Sequence, residues 1–153
     1  MKKCSWLAAL VVALGCGGPV GPFSGGAFSG ESKPAPGDWG FATNVEQVQI
    51  ETNPAAPHSW NIWIAVKDGT PYISSSMIHG AKVPTERKWV RDVQADERVR
   101  LRIEGTAYEL RAVRVRDAAE AAAARAVLEA KYELEPDDLD PEREVWVFRL
   151  EPR

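Results

Sequence analysis

The chain has 153 residues, with 22 acidic and 19 basic side chains and a formal net charge of −3 at pH 7. This slightly acidic balance argues against a nucleic-acid partner, because nucleic-acid-binding domains concentrate Lys and Arg on one face. The two cysteines, Cys4 and Cys16, lie near the amino terminus. The rest of the chain can therefore form neither a disulfide nor a thiolate metal site, and it must fold around an ordinary hydrophobic core.

The amino terminus has the pattern of a bacterial export signal that ends at Cys16. Lys2 and Lys3 precede a short apolar run over residues 6–14, which is about half of what a membrane-spanning helix needs. The end of this run resembles a lipobox, with Gly15 before the cleavage point and Cys16 as the lipidated residue. An ordinary cleaved secretory signal is the alternative, and both alternatives export the protein.

These features predict an extracytoplasmic protein of the bacterial cell envelope that is attached to a membrane through its lipid. The opening Lys-Lys pair is typical of general secretion, in which the chain crosses the membrane unfolded, and not of the twin-arginine route. A cofactor would then be acquired outside the cytoplasm. Without the signal, 17 basic residues face 22 acidic ones, so the net charge falls to −5.

Residues 1–16 are thus predicted to be the signal peptide, residues 17–37 a flexible linker, and residues 38–153 a single domain. In the linker, 14 of 21 residues are Gly, Pro or Ser. Such a composition buries too little apolar surface to offset the entropy of ordering the chain. Phe23 and Phe28 are isolated within it. The segment that follows is long enough for one hydrophobic core.

Six strands and two helices are predicted in the domain. In chain order they are strands at residues 45–52, 60–67 and 70–76, a helix at 84–95, strands at 98–104 and 108–116, a second helix after Asp117, and a last strand at 145–150. The strands show the two-residue period of apolar side chains, and the first helix begins with a proline in its first turn. Asp68-Gly69 fits a tight hairpin turn. Asp117 and Glu120 have the spacing of a capping box.

This order of elements predicts a mainly β fold with two helices, in which six short antiparallel strands form a closed or nearly closed barrel. The segment at 60–67 is apolar on both of its faces, as a central strand is. The Trp side chains of the domain are expected in the core or in the wall of a pocket.

Three motifs carry a resemblance to a known family. Residues 62–73 read IWIAVKDGTPYI, residues 89–99 read WVRDVQADERV, and the turn at 105–109 reads GTAYE. Together they resemble the split β-barrel of flavin- and deazaflavin-dependent oxidoreductases, the fold of pyridoxamine phosphate oxidase and of deazaflavin-dependent nitroreductases. The resemblance covers about two thirds of the chain, and it implies a six-stranded antiparallel split β-barrel.

The chain also departs from this family. Members have a stretch rich in Gly and Arg after the first strand, whereas residues 53–59 here contain no Arg or Lys. A phosphate is best held by Arg, Lys and backbone N–H groups, so this change weakens the expected cofactor site. Asp92 and Glu97 stand where members usually have Asn and Pro, and both add negative charge.

The resemblance implies a second set of cofactor ligands. Ser75, Ser76, Lys82 and Arg87 would hold the phosphate of FMN or of a deazaflavin coenzyme, and Trp60 would line the site of its ring. Serines that end a strand and basic residues on a solvated helix face are the alternative interpretation. The two histidines, His58 and His79, could pair as metal ligands, but we predict no metal site.

Two functions therefore stay open. The first is a flavin- or deazaflavin-binding, oxidoreductase-like barrel, whose cofactor would carry hydride chemistry while the protein positions it. The second is a barrel without a cofactor that serves as a binding or interaction module of the envelope. The resemblance also implies that two copies form a homodimer with the pocket between them. Residues alone do not decide whether the protein is an enzyme.

Overall fold

The computed structural model describes residues 18–153. The predicted signal peptide and its lipidation site, Cys16, lie outside the described residues. Eight strands and two α-helices occur within them. The strands are β1 (Ser32–Pro34), β2 (Gln47–Thr52), β3 (His58–Trp63), β4 (Ala65–Lys67), β5 (Thr70–Ser74), β6 (Arg98–Ile103), β7 (Thr106–Arg114) and β8 (Val147–Pro152). The helices are α1 (Lys88–Ala95) and α2 (Ala118–Lys131), and 3₁₀ turns lie at Gly40–Ala42, Pro84–Glu86 and Pro136–Asp138.

Seven of the strands form a curled antiparallel sheet in the order β3-β2-β6-β7-β8-β5-β4. β3 and β4 lie at its opposite edges, although Ile64 alone separates them in the chain. The chain therefore crosses from one edge of the sheet to the other at Ile64, which is fully buried. This crossing joins the two edges at one end and makes the sheet an antiparallel split barrel. The predicted fold class is confirmed.

Two details of the strand prediction were wrong. The segment at 60–67 is not one strand, because the crossing at Ile64 divides it into β3 and β4. β1 was not predicted, and it pairs in parallel with the first half of β7. β8 pairs with the second half of β7. β1 and β8 therefore lie end to end along the same side of β7.

The core lies inside the barrel and follows the predicted two-residue period. Alternate side chains of β2 and β6, including Val48, Ile50 and Leu101, are buried. α1 closes one side of the barrel with the predicted stripe of Trp89, Val90 and Val93. α2 covers another side through Ala124 and Leu128. Burial of these apolar side chains, at roughly 25 cal/mol for each Å² removed from water, is the main force that holds the fold together.

The start of α2 confirms one half of the predicted capping box. The Asp117 side chain accepts a hydrogen bond from the backbone N–H of Glu120 at 2.8 Å, as an N-cap residue does. The Glu120 carboxylate does not return to Asp117 but accepts hydrogen bonds from the Tyr72 hydroxyl at 3.0 Å and from Arg149 Nη1 at 2.6 Å. Glu120 therefore ties α2 to β5 and β8.

The predicted helix at 84–95 is divided at Arg87. A 3₁₀ turn occupies Pro84–Glu86, Arg87 is extended with φ −75° and ψ 122°, and α1 begins at Lys88. The extended residue turns the chain between the two helical pieces. As a result the Arg87 side chain points toward the end of β5 instead of lying along a helix surface.

Residues 18–34, which we call the strap, lie along the outer face of the barrel. Gly25 and Ser59 exchange backbone hydrogen bonds at 2.8 and 2.9 Å, Asn61 Nδ2 donates to the Gly21 carbonyl at 3.0 Å, and Phe28 is buried. The strap therefore contacts the barrel, unlike the flexible linker that its composition predicts. The boundary of the folded domain at residue 38 stays a prediction.

Candidate functional site

A cleft of about 250 Å³ opens between β3 and the segment that follows β5. Aromatic and apolar side chains form most of its wall, and hydroxyl groups and one guanidinium lie at one end. Its lining residues are Gln47, Trp60, Asn61, Ile62, Trp63, Ser74, Ser75, Ser76, Met77, Ile78, His79, Arg87 and Trp89. A concave apolar site with a few convergent polar groups is the usual form of a small-molecule site.

Arg87 supplies the positive charge of this cleft. Its Nε donates to Ser76 Oγ at 2.7 Å, and its Nη2 donates to the His79 carbonyl at 2.9 Å. Both partners are neutral oxygens, and among the described residues Arg87 forms no salt bridge. The guanidinium is thus held in place while its charge stays uncompensated, which suits it to bind an anionic group.

Gly80 makes room for this guanidinium. Its φ is +80°, and a Cβ atom built there would lie 2.5 Å from Arg87 Nη2. A side chain at this position would force the Arg87 guanidinium to move, and the backbone conformation itself favours glycine. The loop after β5 therefore depends on Gly80 for the position of Arg87.

Ser75 and Ser76 bring two hydroxyl groups to the same end of the cleft. Ser75 Oγ accepts from the backbone N–H of Trp146 at 3.0 Å, while the Ser75 N–H donates to the Trp146 carbonyl at 2.9 Å. Ser76 Oγ accepts from Arg87 Nε. Since each oxygen already accepts one hydrogen bond, each hydroxyl proton can be donated to an acceptor in the cleft.

Trp60 forms part of the opposite wall. It lies on β3, is partly buried and packs against the main core. Lys88 Nζ lies 5.8 Å from the centre of its ring, and the His58 ring lies at 5.9 Å. A flat, partly exposed indole of this kind can stack against a planar ligand.

Lys82 does not lie in the cleft. Its ammonium contacts Asp140 at 3.1 Å and Glu142 at 3.2 Å, and hydrogen bonds to these carboxylates raise the pKa of Lys82. Lys82 was predicted to bind a phosphate, but its ammonium is instead paired with carboxylates of the acidic loop after α2. The geometry does not support Lys82 as a cofactor ligand, whereas it brings Trp60, Ser75, Ser76 and Arg87 together.

The sequence interpretation missed several lining residues. Met77 and Ile78 line the cleft, and His79 contributes a backbone carbonyl rather than its ring. Trp63, which was expected in the core or in a pocket wall, lines the cleft as well. Trp63 lies on β3 close to Trp60, so the predicted two-faced apolar strand was a signal for it. No pattern in the sequence indicated the role of His79, because a backbone group carries it.

A second cavity, of about 490 Å³, lies at the carboxyl end of α2. Tyr132 stacks on Trp63 with ring centres 4.2 Å apart. Its hydroxyl accepts from the Ile64 N–H at 2.9 Å and lies 3.0 Å from the Ile64 carbonyl. Lys131 Nζ donates to the carbonyls of Val45 and Ile64 at 2.6 and 2.8 Å. These groups satisfy the backbone where the chain crosses between the sheet edges.

Burial in this second cavity shifts two pKa values. It raises the pKa of Tyr132 to about 12 and lowers the pKa of Lys131. Both shifts have desolvation as their largest cause, because burial disfavours the charged form of each group. Both side chains already bond to the backbone at the strand crossing, so their role there is structural.

Among residues 18–153, no group of three or more His, Cys, Asp or Glu side chains is arranged to hold a metal ion. None of the helices in this part of the chain is long and apolar enough to cross a membrane.

Solved structures share this fold. An FAD-binding protein from Mesorhizobium loti matches 72% of this chain and 82% of its own length, with 15% identity and a TM-score of 0.50. An F420 reductase matches 78% of this chain and 95% of its own length, with 15% identity and a TM-score of 0.51. At this identity the likeness concerns the fold alone, which these chains share as an antiparallel split barrel. No protein-family model and no curated protein matches the chain.

Proposed function

We propose that this protein is a lipid-anchored component of the bacterial envelope whose split barrel binds FMN or a deazaflavin coenzyme in the cleft beside Arg87. The observation that carries the proposal is the convergence of Arg87, Ser75 and Ser76 at one end of a cleft with Trp60 in its wall. The fold supports it as well, since one solved structure of this fold is an FAD-binding protein and another is an F420 reductase.

These residues fit a ligand with a planar ring and a phosphate. The uncompensated guanidinium of Arg87 and the two hydroxyl protons would bind the phosphate, and Trp60 would face the ring. Such a cofactor supplies hydride transfer when bound, while the protein holds and orients it. Each charged hydrogen bond contributes about 1.5–3 kcal/mol, so the loss of Arg87 should weaken binding roughly tenfold or more.

The alternative is a cofactor-free barrel that acts as a binding module of the envelope. Two observations favour it. Lys82 is engaged with Asp140 and Glu142 outside the cleft, so Arg87 is the one cationic side chain among the lining residues. The cleft volume of about 250 Å³ is also below the roughly 300–1,000 Å³ of typical ligand sites.

A thermal-shift series separates these two functions. The protein would be residues 17–153, so that the strap is kept, and the ligands would be FMN, the deazaflavin coenzyme and haem. A ligand at a hundred times its dissociation constant adds about 2.7 kcal/mol, which is a shift of several degrees for a domain of this size. We expect the shift with FMN or with the deazaflavin coenzyme.

Two matched variants test the site, because each removes one positive charge. Arg87→Gln should reduce the shift to about half or less, since a tenfold weaker ligand adds only about 1.4 kcal/mol at the same concentration, while Lys82→Gln should keep it. An unchanged shift in Arg87→Gln would show that the phosphate is bound elsewhere. No shift with any of the three ligands would leave the cofactor-free module as the working hypothesis.

A further inference from the structure

The strap is held on the barrel almost up to the predicted lipidation site. Gly18 lies so close to β2 and β6 that a Cβ atom there would come within 1.8 Å of Arg102 Nη2 and 3.0 Å of Gln49 Oε1. Gln49 Nε2 also donates to the Pro19 carbonyl at 3.3 Å. One residue, Gly17, separates Gly18 from Cys16. A lipid on Cys16 would therefore be attached close to this face of the barrel.

The residues that follow form a tight turn with two exposed apolar side chains. Val20 and Phe23 exchange backbone hydrogen bonds at 3.2 and 3.0 Å, so they lie opposite each other and share one face. Gly21, with φ +55°, precedes Pro22 in the two-residue turn. Val20 is 76% exposed and Phe23 is 74% exposed, the two largest values among the exposed large apolar residues of the described chain.

The strap around this turn is uncharged. Residues 17–30 contain no Asp, Glu, Lys or Arg, and Glu31 is the first charged residue after the signal. A charged side chain would oppose transfer into the boundary between lipid headgroups and acyl chains, whereas Phe and Val favour it. The turn therefore has the composition of a segment that contacts a lipid surface.

We propose that the turn of residues 20–23 inserts into the surface of the membrane and seats the barrel on it. This inference rests on the lipid anchoring that is part of the proposed function. From Cys16 to Val20 the chain spans at most about 14 Å, and apolar side chains of interfacial segments are buried about 5–10 Å deep. An anchored Cys16 therefore keeps Val20 and Phe23 within reach of the same bilayer.

This contact between the turn and the membrane, which we call the seat, would also orient the cleft. Gly21 accepts a hydrogen bond from Asn61 Nδ2 at 3.0 Å, and Asn61 is one of the residues that line the cleft. The turn is thus fixed directly to the cleft wall. A barrel seated in this way holds its cleft next to the membrane surface, in contrast to a domain on a free linker of 21 residues.

A fluorescent label at position 23 tests this seat in the full chain, expressed and processed in a bacterium. Cys4 leaves with the signal and lipidation blocks the Cys16 sulfur, so Phe23→Cys would carry the one reactive thiol. The label would be an environment-sensitive NBD dye, and the protein would be placed in phosphatidylethanolamine and phosphatidylglycerol vesicles. Val20→Cys is a second probe, and Ala126→Cys, on the exposed face of α2, is the control.

We expect blue-shifted emission at positions 20 and 23, with quenching by a spin-labelled lipid headgroup, and water-like emission at position 126. If the mass of the mature chain shows a lipid on Cys16 but the labels at 20 and 23 stay water-like, the seat is wrong and the anchor stands. A mass without lipid removes the anchor and the seat together. A blue shift that headgroup quenchers do not reduce would mean that a second copy covers the turn, and would overturn the proposal. The thermal-shift result is independent of all these outcomes.

Discussion

The barrel surface under the strap and the cleft both adjoin β3, but their arginines differ in whether a carboxylate compensates the charge. Under the strap, Arg100 donates to both carboxylate oxygens of Glu51, at 2.7 and 2.6 Å, and to the Phe28 carbonyl at 3.1 Å. In the cleft, Arg87 contacts only neutral oxygens. The first charge is compensated within the fold and stabilises it. The second is positioned but not compensated, and so it is available to a ligand.

The two kinds of contact should respond differently to substitution. Loss of a contact that the fold satisfies internally should lower the free energy of unfolding, by an amount that falls from Glu51 through Phe28 to Tyr132. A displaced Arg87 should change ligand binding more than stability.

Glu51→Leu should cost the most. Glu51 is 5% exposed, and the substitution leaves the Phe28 N–H without its acceptor and Arg100 without its carboxylate partner. Removal of one partner of a buried ion pair typically destabilises a protein by about 3–5 kcal/mol. Urea unfolding of the two proteins measures the difference.

Glu109→Leu is the matched control for this measurement. Glu109 lies opposite Arg100 in the next strand, but its carboxylate is half exposed and pairs with Arg153 at 2.8 Å. An exposed pair contributes only about 0–1 kcal/mol. Equal losses in the two variants would show that Glu51 has no special role under the strap.

Phe28→Ala should release the strap. Phe28 is 4% exposed, and the guanidinium of Arg102 lies 4.2 Å from the centre of its ring. A loss of about 3 kcal/mol is expected, the low end for a buried aromatic residue, since the strap lies at the surface. Hydrogen exchange at the amides of Gly25 and Ser59 should become roughly a hundredfold faster.

Phe23→Ala provides the comparison for Phe28→Ala in detergent-free solution, because Phe23 belongs to the same strap but is 74% exposed. Exchange at Gly25 and Ser59 should stay at the rate of the unchanged protein. If the two variants behave alike, Phe28 does not hold the strap.

Tyr132→Phe should cost about 2 kcal/mol at neutral pH, because it leaves the buried N–H of Ile64 without its acceptor. The effect should depend on pH. The pKa of Tyr132 is raised from 10.0 to about 12 in the folded protein, so the unfolded chain loses its proton first as the pH rises. The stability due to Tyr132 is therefore complete below pH 10 and is lost between pH 10 and 12.

Urea unfolding at several pH values between 8 and 11.5 checks this expectation. The difference between the two proteins should narrow above pH 10. Lys131, whose pKa is lowered by burial, is present in both proteins and does not contribute to the difference. A difference in the free energy of unfolding that is constant over this pH range would contradict the raised pKa of the Tyr132 hydroxyl.

Much of the barrel could be predicted because its signals are local. The hairpin at Asp68 and Gly69 is an example, since both residues have positive φ, at 51° and 75°, as the tight turn predicted there requires. The Asp117 cap and the buried stripe of α1 are equally local. Each of these features follows from neighbouring residues, so no knowledge of the rest of the fold was needed.

The strap could not be predicted because backbone groups make most of its contacts. Gly25 pairs with Ser59 through N–H and C=O groups that every residue has, and a composition rich in Gly, Pro and Ser is also that of flexible chains. A single Phe28 adds the apolar contact. These interactions depend on the position of β3 in the barrel. A local sequence pattern does not predict that position.

The sequence could not separate Lys82 from Arg87, which were both predicted as phosphate ligands, for a related reason. Both are cations close to the end of β5 in the sequence, and either could reach a phosphate. The fold separates them, because Asp140 and Glu142 come from a distant loop and bind Lys82, while the extended backbone at Arg87 turns that side chain into the cleft. Charge in a sequence does not indicate whether the fold will compensate it.

Gly80→Ala tests the uncompensated arginine with the smallest change in stability. The left-handed backbone and the 2.5 Å approach of Arg87 Nη2 predict a loss of about 1 kcal/mol and a displaced guanidinium. Gly105→Ala is matched to it, because Gly105 has φ +83° but no atom within 4 Å of the added Cβ. Both variants should unfold at a similarly lowered temperature. Only Gly80→Ala should lose the thermal shift with FMN or the deazaflavin coenzyme, and an equal loss in both would mean that backbone strain, not Arg87, controls the cleft.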